Sequence, residues 1–84
     1  MTPTFADVRD TLVQTLGIQD RADTLTPQTA LLDNLTELDS MAVVELLTAL
    51  EDRFGITIDD GDVSGELFET LGSLTAFVQD KARA

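Results

Sequence analysis

Ser40 is the side chain best placed to do chemistry, because its hydroxyl follows Asp39 at the start of an amphipathic run. Asp is a favoured N-cap type, which puts Ser40 at the first helical position, among backbone N–H groups with no acceptor inside the helix. Free donors and the helix dipole attract an anion there, an effect of roughly 0.3 to 1 kcal/mol at an exposed site. Ser40 is thus a natural phosphate site. Acidic and hydroxyl residues cap helices everywhere, so the pair acquires meaning only from its surroundings.

Other chemistry is sparse. The chain has no His and no Cys, and its only lysine is Lys81. The usual general base, the commonest transition-metal ligand and the thiol nucleophile are all missing, so catalysis by this chain alone is not expected. Asp60, Asp62, Ser64 and Gly65 fall at the first, third, fifth and sixth places of an EF-hand loop. The twelfth is Leu71, where a bidentate Glu is required, so the stretch reads as an acidic turn and no metal site is assigned.

The helix that Ser40 opens must position it. Val43, Leu47, Leu50 and Phe54 recur at spacings of four, three and four, predicting a buried face with Leu46 and Ala49 on its flank. Glu45, Glu51 and Asp52 fall away from that face. Met41 and Val44 do too, and two apolar residues on a solvent-facing stripe suggest a partner surface. Gly55 ends the helix, and Ile56 to Ile58 continue in extended form.

Earlier in the chain, Thr4 with Asp7 reads as a capping box, and Phe5, Val8, Leu12 and Leu16 make one helical stripe that stops at Gly17. From Ile18 to Leu38 the periodicity dissolves. A loop of that length needs pinning, for which Leu25, Leu31, Leu32, Leu35 and Leu38 are candidates, with a short helical turn over 30–34 as the alternative. Beyond the acidic turn, a short third helix is predicted over Glu66 to Leu71. Gly72-Ser73 then breaks and restarts the chain, with Ser73 capping a final helix that buries Leu74, Phe77, Val78 and Ala82 and has Lys81 and Arg83 in its last turn. Val43, Leu47, Leu50, Phe54, Leu67, Phe68, Leu74 and Phe77 form the candidate core.

At 84 residues the chain reads as one domain over 1–84, burying about 60 to 65% of its unfolded surface. Sixteen acidic and five basic residues give a net charge of −11. Nucleic acid is disfavoured, since phosphate contacts need clustered Lys and Arg. Basic protein surfaces are the expected partners, steered over about 8 Å at physiological salt. No apolar run is long enough for a membrane span, and residues 1–7 lack the pattern of a signal peptide, so a cytoplasmic monomer is expected.

Asp39-Ser40-Met41, followed by a helix with Glu45-Leu46 and ending Glu51-Asp52-Arg53-Phe54-Gly55-Ile56, resembles the Asp-Ser-Leu/Met motif and second helix of acyl carrier proteins. The likeness extends over nearly the whole chain. It implies an all-α four-helix bundle of acyl-carrier type, with a long first loop and a short third helix. It also implies that Ser40 carries 4'-phosphopantetheine taken from coenzyme A, whose thiol supplies what a Cys-free chain lacks. Partners implied are a phosphopantetheinyl transferase, an acyl-loading ligase or transferase, and condensing or acyl-transferring enzymes of fatty-acid, polyketide or related biosynthesis.

Those enzymes would dock on Asp39, Met41, Val44, Glu45, Thr48, Glu51 and Asp52, with Ile58 matching an apolar position beside the prosthetic group. The chain departs from the family pattern at Glu37, where many carriers have Gly three residues before the serine. Leu35 and Leu38 bracket Thr36-Glu37 as if one residue were inserted. Ala42 and Thr48 also stand where many carriers have an acidic residue and Met. Two alternatives remain: an aminoacyl or peptidyl carrier, and an unmodified acidic helical interaction module in which Ser40 is only a cap.

Overall fold

The computed structural model describes residues 3–31, 40–63 and 65–83, with Ser40 and Asp60 described in backbone only. Helix α1 spans Phe5–Leu16, α2 spans Ser40–Phe54 and α3 spans Leu71–Arg83; 3-10 segments cover Gln19–Thr24 and Asp60–Asp62. No strand occurs among the described residues, and the all-α architecture expected from the sequence is what forms.

α1 begins as its sequence dictates. The Asp7 N–H donates to Thr4 Oγ1 at 3.2 Å and the Thr4 N–H donates back to Asp7 Oδ2 at 3.0 Å, satisfying two terminal donors at once. Gly17 ends the helix at φ +69°, a left-handed conformation that favours glycine. Val8 and Leu12 are fully buried, with Val13 and Thr11 beside them, while Phe5 and Leu16 pack partly exposed at the two ends.

The segment after α1 is more regular than its sequence suggests. Gln19–Thr24 forms a 3-10 helix with the Thr24 hydroxyl donating to the Arg21 carbonyl at 2.7 Å. Its six polar or small residues carry no apolar period. Order comes instead from Ile18 and Leu25, buried at either end.

The long loop is then tied to the start of α3. The first N–H groups of a helix lack internal acceptors, and loop carbonyls supply them here: Leu71 N–H donates to Thr29 O at 2.9 Å and Gly72 N–H to Pro27 O at 2.8 Å. Ala30 bridges Thr70 in antiparallel fashion, and Leu31 is fully buried. Leu25 and Leu31 are therefore pins as expected. Leu32, Leu35 and Leu38, with Thr36, Glu37 and most of the alternative 30–34 turn, lie outside the described residues.

α2 packs chiefly against α1, helped by an Arg53–Asp7 ion pair at 3.9 Å. Its buried face is rotated from the expected one. Leu46 and Leu50 are fully buried, whereas Val43, Leu47 and Phe54 are only partly covered. The small Ala42 also packs against the core, and at 3.6 residues per turn it draws the centre of the apolar sector toward Leu46.

Two boundaries near the C-terminus also differ from expectation. Residues 65–68 form turns closed by Glu69 N–H to Glu66 O at 3.2 Å, so the short third helix is a single helical turn. Leu67 and Phe68 are buried beneath it. α3 starts at Leu71 because Thr70, not Ser73, is its cap: Ser73 N–H donates to Thr70 Oγ1 and Thr70 N–H to Ser73 Oγ, both at 3.0 Å. Gly72 is not a break. A Cβ there would stand 2.7 Å from the Pro27 carbonyl oxygen, so glycine permits the loop's close approach. Leu71, Leu74 and Val78 are fully buried, with Phe77 and Ala82 partly so.

Candidate functional site

Ser40 is the first residue of the fifteen-residue α2, as its sequence position requires. Asp39, the expected cap, lies outside the described residues. Directly after Ser40 the helix turns an apolar stripe to solvent, with Met41 73% and Val44 63% exposed. Thr48 follows on the same exposed stripe and folds its hydroxyl back to the Val44 carbonyl at 3.0 Å.

The acidic rim divides into two kinds. Glu45 and Asp52 are exposed. Glu51 is half-buried, and its carboxylate accepts a hydrogen bond from the Ile58 N–H at 2.8 Å. Ile58 is half-buried and packs against the core. The structure therefore brings Met41, Val44, Glu45, Thr48 and Asp52 onto one exposed surface, while Glu51 faces its own chain. No sequence period could have found that contact. Its only trace is Gly55, whose φ of +64° turns the chain back toward the helix.

The acidic turn is organised by a cation of its own. Asp62 accepts from the Asp59 N–H at 3.1 Å and pairs with Lys81 Nζ at 2.8 Å, while that ammonium lies 5.7 Å from the centre of the Phe77 ring. The Lys81 hydrogen bond, then the Asp59 amide, hold the Asp62 carboxyl below its ordinary value, and the same Asp62 bond raises Lys81. The third EF-hand position is thus occupied by an internal ion pair, and Ser64 lies outside the described residues. An open groove of about 430 Å³ runs between this turn and α3, lined by Glu66, Leu67, Glu69 and Phe77 among others; none of the α2 surface residues borders it.

Comparison with known proteins identifies the family. The family model described as phosphopantetheine attachment site matches residues 6–78. The chain belongs to this family of acyl carrier proteins.

Its relatives agree. The meromycolate extension acyl carrier proteins of Mycobacterium bovis and Mycolicibacterium smegmatis are each 30% identical over 75 residues, 89% of this chain. The match covers 61% of the first and 71% of the second, so the chain spans less than two thirds of the Mycobacterium bovis carrier's length. A holo acyl carrier protein from Nitrosomonas europaea, solved by NMR, superposes with a TM-score of 0.88 at 46% identity, covering 95% of this chain and 96% of that one.

Carriers of this family are not catalysts, in keeping with a chain that has neither His nor Cys. The cofactor that goes with the family is covalently attached 4'-phosphopantetheine. The groove beside α3 is separate from the α2 surface. Among the described residues no helix is long and apolar enough to cross a membrane.

Proposed function

We propose that this carrier holds 4'-phosphopantetheine on Ser40 and presents acyl thioesters to biosynthetic enzymes that dock on the exposed side of α2. The observation that carries the reading is the conjunction of Ser40 at the first residue of α2 with Met41 and Val44 exposed directly after it. Exposed apolar residues rimmed by Glu45 and Asp52 suit brief docking by basic partner surfaces, with charge supplying the encounter rate and the apolar centre the contact. When attached, the arm supplies a terminal thiol on which an acyl group is held as a thioester.

Each residue then has a role. Ser40 provides the hydroxyl, the positive end of the α2 dipole favours the phosphodiester's charge, and Asp39, Met41, Val44, Glu45, Thr48 and Asp52 meet the partner. Nothing in the chain activates Ser40, so modification requires a phosphopantetheinyl transferase and coenzyme A. A loading ligase or transferase and a condensing or acyl-transferring enzyme follow in turn. The relatives named for meromycolate extension support an acyl rather than an aminoacyl cargo, and a fatty-acid pathway ahead of a polyketide one.

The experiment is Ser40→Ala, followed by acyl loading and circular dichroism. Loading should be abolished with the helical signal unchanged. Retained loading would remove Ser40 from the account.

A further inference from the structure

We infer that Glu51 is a positioning residue, which fixes Ile58 for partner recognition instead of meeting the partner itself. The inference rests on the carrier reading above and concerns how that surface is built.

Glu51 holds both ends of one short stretch. Its backbone carbonyl accepts from the Gly55 N–H at 2.9 Å, closing the end of α2. Its carboxylate Oε2 accepts from the Ile58 N–H at 2.8 Å, seven residues along the chain. Between the two, Gly55 reverses the chain at φ +64° and Ile56 is buried in the core. The stretch 56–59 has no regular secondary structure, so no helical ladder holds Ile58 in place. Its amide is held by a side chain, and a hydrogen bond to an ionised carboxylate is roughly twice as strong as a neutral one.

Glu45 and Asp52 differ in kind. Both are exposed and neither carboxylate has a hydrogen bond or ion pair among the described residues, so their charges are open to a partner. Glu51 is half-buried, with an oxygen directed at the backbone. A partner that needs Ile58 in one place therefore depends on the acceptor at Glu51, whereas a partner attracted by charge reads Glu45 and Asp52.

Gln keeps a side-chain oxygen that can accept from Ile58 and removes the charge; Ala removes both. The test compares Glu51→Gln, Glu51→Ala and Asp52→Asn by amide hydrogen exchange at Ile58 and by transferase kinetics with coenzyme A. Glu51→Ala should speed Ile58 exchange about tenfold, the order expected for losing one such bond. It should also raise the transferase KM about tenfold with kcat little changed, the signature of lost binding. Glu51→Gln, whose neutral oxygen accepts less strongly, should fall between the parent and Glu51→Ala in both measurements, and Asp52→Asn should raise KM with Ile58 exchange unchanged.

Equal KM losses in Glu51→Gln and Glu51→Ala would make Glu51 an ordinary docking charge and overturn the inference. Parental Ile58 exchange in Glu51→Ala would overturn it as well. A parent chain that no transferase modifies would instead overturn the carrier reading, and the recognition role with it, while the Ile58 exchange rates would still report the contact by themselves.

Discussion

The Gly72 N–H donates to the Pro27 carbonyl at 2.8 Å, and a Cβ on Gly72 would stand 2.7 Å from that same oxygen. Helix α3 is thereby joined to the long first loop by contacts that only glycine at position 72 allows. The neighbouring Leu71 N–H to Thr29 O bond makes the joint a double one. This joint fixes the loop near its middle, at Pro27 to Thr29.

Gly72→Ala should therefore destabilise the chain although alanine is the better helix former. The obstructing atom belongs to the backbone, so the loop must shift, and overpacking of this kind costs about 1 to 3 kcal/mol. Urea unfolding followed by circular dichroism measures it. A stabilised variant would contradict the close approach.

Leu46→Ala tests the rotated face of α2. Leu46 is fully buried and its truncation should cost about 2 to 5 kcal/mol, whereas Val44→Ala, on the exposed stripe, should stay within about 0.5 kcal/mol. Phe54 is only partly covered, so Phe54→Ala should cost less than the 3 to 5 kcal/mol or so typical of a buried phenyl ring. Chemical denaturation of the three variants gives the ranking directly.

Acid should weaken both the α1 cap and the tie between Asp62 and Lys81. Asp7 is held below its ordinary value of 3.8 by hydrogen bonds from the Thr4 backbone and hydroxyl, with help from Arg53, and Asp62 is held below it chiefly by Lys81. A carboxyl with a lowered folded value contributes stability that is present above pH 3.8 and is lost as pH falls through the folded value. Lys81 is raised above 10.5, so its contribution is full below pH 10.5 and is lost as pH rises through the folded value. Melting temperature should therefore decline on both flanks, and Asp62→Asn should flatten both by removing the Lys81 partner.

Much of this fold is legible in the sequence because its signals are local. Thr4 and Asp7 announce α1, Gly17 and Gly55 end helices, and Ser40 begins α2 where an aspartate cap would place it. What the sequence hides depends on tertiary partners. Gly72 reads as a break until the Pro27 carbonyl is seen beside it, and that misreading displaces the cap from Thr70 to Ser73. Gln19–Thr24 has no apolar period, since its order is set by Ile18 and Leu25 at its ends. Leu46 looks peripheral until Ala42 is counted in the packed face.

The surface of α2 divides in the same way. The outward placement of Met41, Val44, Glu45, Thr48 and Asp52 follows from helical spacing alone. Glu51 shares that spacing but accepts from Ile58, a contact that exists only once Gly55 has reversed the chain.

The most direct test of the account is intact mass after incubation with a broad-specificity phosphopantetheinyl transferase and coenzyme A, with Ser40→Ala treated in parallel. The chain has no Tyr and no Trp, so mass is a better observable than ultraviolet absorbance. The parent should gain one phosphopantetheine and Ser40→Ala none. No gain in the parent with several such transferases, or an equal gain in Ser40→Ala, would contradict attachment at Ser40.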